Sequence, residues 1–193
     1  MKRALQLLAA SAGLALSAVP AYAGPLFFAA DMSGAFEVPP NASTATGFTN
    51  VKLVGDDLTV DITWSGLTGG NPAAAHIHCC TAHGTSIGVA VPFPSFPTTT
   101  SGTYHHVFDL TQSAVYTAAF RTNFGGGTAA GAEAALIAGL EAGTAYSNIH
   151  NATFPGGEIR GLLVGVPEPA TITLFGLGLI ALPLVRRRKP QRA

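Results

Sequence analysis

Apolar and polar residues alternate through the middle of the chain. Residues 49–54 lead through Gly55-Asp56-Asp57 to residues 58–64, and the alternation puts Leu58, Val60, Ile62 and Trp64 on one face. That pattern predicts a hairpin with one buried face. Further strands are expected at 27–32, 74–78, 102–109 and 158–163, separated by stretches rich in Gly, Pro, Ser and Thr such as 92–100. Several short strands joined by loops of this kind predict an antiparallel β-sandwich. The rhythm changes at 128–142, an Ala-rich segment with Leu136, Ile137 and Leu140 at three- and four-residue spacing. It is bounded by Gly125-Gly126-Gly127 and by Gly143, and it predicts one short helix packed on the sheet. Near both ends alternation gives way to unbroken apolar runs, 4–19 and 170–185.

The two runs read differently because of what flanks them. Met1-Lys2-Arg3 is a basic start, and Ala21-Tyr22-Ala23 supplies the small-x-small pattern cut by signal peptidase, here before Gly24. Residues 1–23 are therefore expected to be a signal peptide. The run 170–185 is uncharged and apolar on every side, as suits lipid. As a helix it spans roughly 24 Å against a hydrocarbon core of about 30 Å, which makes it a short membrane anchor. Arg186, Arg187, Arg188 and Lys189 follow it, and the positive-inside rule places them in the cytoplasm with the middle of the chain outside. Pro167-Glu168-Pro169, the apolar run and the basic cluster together resemble the PEP-CTERM sorting signal of Gram-negative bacteria. The resemblance implies processing by an exosortase after transient anchoring in the inner membrane, then residence in the cell envelope or extracellular matrix. The expected division is 1–23 signal peptide, 24–165 folded domain and 166–193 sorting signal.

Removing the ends changes the charge. The 193-residue chain is formally neutral, yet residues 24–166 hold three cations (Lys52, Arg121, Arg160) against nine anions (Asp31, Glu37, Asp56, Asp57, Asp61, Asp109, Glu133, Glu141, Glu158), a net charge of minus six. Such a surface does not suit nucleic acid and offers an anionic polysaccharide no cationic dock. A cation fits better. The segment is long enough for one domain with its own core.

Candidate chemistry gathers at 75–83. On a strand, His76, His78 and Cys80 project to one face and Ile77 to the core. Imidazoles about 6–7 Å apart can share one copper or zinc ion if other ligands join them. His150, in Asn148-Ile149-His150, is the expected third ligand; His83, His105 and His106 are further candidates. The alternative is that the His-x-His face is solvated or bonded to loop carbonyls. Cys79 and Cys80 are the chain's two cysteines, so in an oxidising compartment a vicinal disulfide, free thiols or a Cys80 ligand are the options, the first preferred. Glu158 and Arg160 are expected to share a strand face as a structural ion pair.

Ser33-Gly34-Ala35-Phe36-Glu37-Val38-Pro39, Ala75-His76-Ile77-His78, and Asn148-Ile149-His150 through Gly156-Gly157-Glu158-Ile159-Arg160-Gly161 together resemble the CHRD domain over about residues 26–164. That resemblance implies a β-rich extracellular module and names no ligand; the expected sandwich is immunoglobulin-like or superoxide-dismutase-like, the latter by analogy with the His-x-His strand alone. No acid, base and nucleophile are assembled, so no enzyme is expected. The expected role is structural or binding, with exopolysaccharide or a matrix protein as partner; the alternative is a copper- or zinc-binding or redox protein. Asn41-Ala42-Ser43 and Asn151-Ala152-Thr153 match the glycosylation pattern and carry no expectation.

Overall fold

A computed structural model describes residues 24–82 and 84–167. The predicted signal peptide, His83, Glu168 and Pro169 of the sorting motif, the run 170–185 and the flank Arg186, Arg187, Arg188 and Lys189 lie outside the described residues.

Nine strands form among the described residues: β1 (Leu26–Ser33), β2 (Thr46–Val54), β3 (Asp57–Ser65), β4 (Pro72–His78), β5 (Val89–Pro92), β6 (Gly102–Asp109), β7 (Tyr146–Asn151), β8 (Ile159–Leu162) and β9 (Val164–Gly165). They pair antiparallel in the order β5-β4-β7-β8-β1-β2-β3-β6, with β9 also on β1. The predicted hairpin is β2–β3, in which Val51 faces Val60 and Leu53 faces Leu58. Its two-residue turn is Gly55-Asp56, and Gly55 takes the positive φ (58°) that such a turn demands.

The expected sandwich of two stacked sheets is replaced by a single curled sheet. β8 pairs with β7 on one side and meets β1 at Ser33 opposite Arg160 on the other, so hydrogen bonding continues where a sandwich would divide. Gly161 permits this junction, because a Cβ there would fall on the Asp31 backbone. A wide sheet with right-handed twist curls, and here the curl brings its two edges face to face. Phe93, next after β5, lies 5.4 Å from Tyr104 and 6.0 Å from Phe108 of β6, centroid to centroid. Trp64 stacks on Phe96 at 4.6 Å.

The concave face buries Phe28, Met32, Val51, Leu58, Val60, Ile62, Ile77, Ile149 and Ile159. Two α-helices accompany the sheet where one was predicted. α2 (Ala129–Glu141) is the expected one, capped by the Thr128 hydroxyl accepting from Gly131 N–H, and it adds Leu136 and Leu140 to the core. α1 (Ala118–Phe124) is extra, with Thr117 capping Phe120 N–H and Phe120 buried. Cys79 and Cys80 are joined to each other at the end of β4. Gly139 of α2 lies directly over them, where a Cβ would strike both sulfurs.

Candidate metal centre

β4 and β7 are neighbours, and their register sets Ala74 opposite His150, His76 opposite Asn148, and His78 opposite Tyr146. Period two then decides the faces: Ala75, Ile77 and Ile149 enter the core, while His76, His78 and His150 project from the other side. Their ring centroids are 5.5 Å (76–78), 5.0 Å (76–150) and 5.7 Å (78–150) apart. One ligand atom from each ring lies within 4.8 Å of the others. Bonds of about 2.0–2.1 Å to one tetrahedral ion place such nitrogens roughly 3.3 Å apart, closer than the 4.8 Å within which these atoms lie.

The outer nitrogens are already committed. His78 Nδ1 lies 2.7 Å from the Ile87 carbonyl and His150 Nδ1 lies 3.0 Å from the Pro155 carbonyl. A carbonyl only accepts, so both Nδ1 atoms carry the proton and both Nε2 atoms present a lone pair. His78 Nε2, His150 Nε2 and His76 Nδ1 are buried without a hydrogen-bond partner. Three buried ring nitrogens without partners, two of them with lone pairs, cost stability unless something fills the space between them. Backbone carbonyls fixing the outer nitrogen are the usual support for a metal-binding imidazole. Of the alternatives left open by the sequence, loop carbonyls do bind two of the rings, but on the side that leaves the inner nitrogens free.

Burial, and then the neighbouring His150 and His78, push the His76 pKa down to about 4. Burial does the same to His78, against the Ile87 carbonyl, and its pKa also falls to about 4. His150 is lowered by burial, with the Pro155 carbonyl opposing. Neutral imidazoles are the metal-binding form. His78 also stacks on Tyr146, centroids 4.6 Å apart and planes 4° from parallel.

The other candidates fall elsewhere. His105 and His106 are on β6; exposed His105 Nδ1 lies 2.6 Å from Asp61 Oδ1, and His106 packs on Phe108. Cys80, bonded to Cys79, has no thiolate to offer. The expected Glu158–Arg160 ion pair gives way to different partners. Glu158 precedes β8 at the Pro155-Gly156-Gly157 turn, and its buried carboxylate accepts from Ser43 Oγ (2.6 Å), Thr68 N–H (2.6 Å), Thr68 Oγ1 (2.8 Å) and the Asn151 amide. Arg160 instead lies beside Glu37, Nε to Oε2 3.9 Å, and donates to the Phe36 carbonyl. A shared strand face brings side chains near each other, but donors converging from Ser43, Thr68, Gly69 and Asn151 draw the carboxylate away.

Ile87, Pro155 and Tyr146 support the site and were not singled out by sequence. Carbonyl partners leave no mark on residue identity; the Pro-Gly-Gly turn after His150 was the one signal on the page. Both glycosylation patterns are structural: the Asn41 amide donates to the Gly157 and Glu158 carbonyls at 3.1 and 3.0 Å, and Asn151 is buried.

A curled antiparallel sheet with three converging histidines on its outer face defines a β-module with a candidate metal centre. Residues 28–163 match the CHRD domain model, and the chain belongs to that family. Residues 165–189 match the PEP-CTERM protein-sorting motif, which implies an exported, cell-surface protein of Gram-negative bacteria processed by an exosortase. Comparison with curated proteins and with solved structures gave no match.

Proposed function

We propose that this surface-sorted module binds one copper or zinc ion through His76 Nδ1, His78 Nε2 and His150 Nε2, and that its role is binding rather than catalysis. The observation that carries the reading is a cluster of three buried, partnerless ring nitrogens, with the His78 and His150 rings held from behind by the Ile87 and Pro155 carbonyls. The cluster is all imidazole, with no carboxylate in it, which suits zinc and copper and not magnesium or calcium. The acidic surface of residues 24–166 favours the approach of a cation. A purely structural contact with matrix polymer leaves the three partnerless nitrogens unexplained.

Titration of metal-free residues 24–166 with cobalt(II) tests this. The expected result is saturation at about one equivalent with the intense visible bands of a four-coordinate nitrogen site, abolished in His78→Ala and displaced by zinc. Weak, non-saturating octahedral spectra, unchanged in His78→Ala, contradict it.

A further inference from the structure

Cys79 directly follows His78, so the disulfide begins one residue after a proposed ligand. The chain is held on both sides of it. His78 pairs with Val89 and with Tyr146 and its ring is bonded to the Ile87 carbonyl, while beyond the disulfide Thr81 N–H donates to the Thr144 carbonyl at 3.2 Å. Pairing with β5 shifts register between Ile77 and His78, the kind of irregularity that re-aims a side chain. The direction of the His78 ring therefore depends on the backbone at this junction. The remaining side is α2. Cys79 is fully buried beside Leu136 and Leu140 in the core, Cys80 Sγ lies 3.4 Å from the Ala135 carbonyl oxygen, and at Gly139 there is no room for even one methyl group next to the two sulfurs.

The helix is thus fitted to the sulfurs as a bonded pair. Reduction replaces the S–S bond by two thiols, which gain two hydrogens and move apart to van der Waals contact, and a close-packed interior has no spare volume on the α2 side to take them. α2 is fixed by Leu136 and Leu140, whereas β4 ends here, at the residue that carries the imidazole. The strand end is what gives way. We propose that Cys79–Cys80 is a redox switch on the candidate metal centre: bonded, it keeps His78 in the binding position, and reduced by a dithiol it lets His78 turn away and the ion leave. This rests on the three-histidine reading above. Cys80, half-buried where Cys79 is enclosed, is the sulfur a dithiol reaches. One thiolate of the dithiol bonds to Cys80 Sγ as the Cys79–Cys80 bond breaks and Cys79 takes a proton; the second sulfur of the dithiol then displaces Cys80, which takes the other. Two electrons and two protons reach the protein, and the dithiol becomes a disulfide.

The test measures zinc, which undergoes no redox change, on the full chain in detergent by competition with a chromophoric chelator. The protein is compared as isolated from an oxidising compartment, after reduction by a water-soluble phosphine (which leaves as its oxide, taking oxygen from water), and after reoxidation, with free thiols counted by alkylation and mass. The expected result is about one equivalent of zinc on the oxidised chain, lost in His78→Ala, and affinity roughly 10–100-fold weaker once both thiols are free, restored on reoxidation. Cys79→Ser/Cys80→Ser is expected to bind as weakly as the reduced chain with or without phosphine; if it does not fold, the reduced wild-type chain decides. Equal or tighter binding with both thiols free overturns the switch and leaves the three-histidine reading standing, whereas no zinc on the oxidised chain overturns both.

Discussion

At the scale of single residues, burial sets the behaviour of the site. Imidazoles at positions 76 and 78 bind protons near pH 6.5 in the unfolded chain and only near pH 4 when folded. Acid between those values therefore favours unfolding: their contribution is full above about 6.5 and falls away toward 4. Glu37 acts with the opposite sign. Its folded pKa of about 7 exceeds its ordinary 4.5, so its contribution is present below 4.5 and is lost as pH rises to about 7. Metal-free residues 24–166 are expected to show an unfolding temperature that falls from pH 6.5 to 4, more steeply in Glu37→Gln and less steeply in the His76→Ala/His78→Ala protein. Thermal scans across that range check it, and a double-histidine variant with the wild-type slope contradicts it. The histidine cluster itself was legible, because alternation alone put His76 and His78 on one face and the Ile149 neighbour implied the same for His150. Glu158 was not, since the donors that claim it, Ser43 and Thr68, are about ninety and more residues away in sequence.

At the scale of elements, long patterns were readable and short ones were not. β2, β3, β6 and α2 appear close to where periodicity put them, because each repeats its period several times. α1 has seven residues, too few for a helical period to stand out, and its existence rests on the Thr117 cap and on Phe120 finding a buried place. β5 has four residues and reads as loop until β4 pairs with it. The curl was illegible for another reason: one sheet or two depends on whether β8 bridges to β1, and that is decided by the close approach at Gly161 rather than by strand pattern. Where α2 crosses the end of β4, Gly139 is the contact point with the Cys79–Cys80 pair. Gly139→Ala is expected to destabilise the oxidised domain by about 1–3 kcal/mol, the usual cost of overpacking, despite alanine's better helix propensity. Denaturant unfolding measures this, and a stabilised variant would show that the helix does not sit on the disulfide.

At the scale of the whole molecule, one module is followed by a sorting motif. The sorting motif implies a surface destination, where disulfides persist, and Cys79–Cys80 is consistent with that compartment. The family match covers residues 28–163, most of the sheet, but the domain's chemistry must be read from its own side chains. On this chain that chemistry is concentrated on one outer face: His76, His78 and His150, then Tyr146, then Arg160. The charges of residues 24–166 sum to minus six.

The most direct test of the central claim is elemental analysis of residues 24–166, produced without a histidine tag in an oxidising compartment and dialysed at neutral pH, beside the His76→Ala/His78→Ala protein. The account predicts near-stoichiometric copper or zinc in the wild-type domain and none in the variant; a wild-type domain that holds no metal even after reconstitution contradicts it.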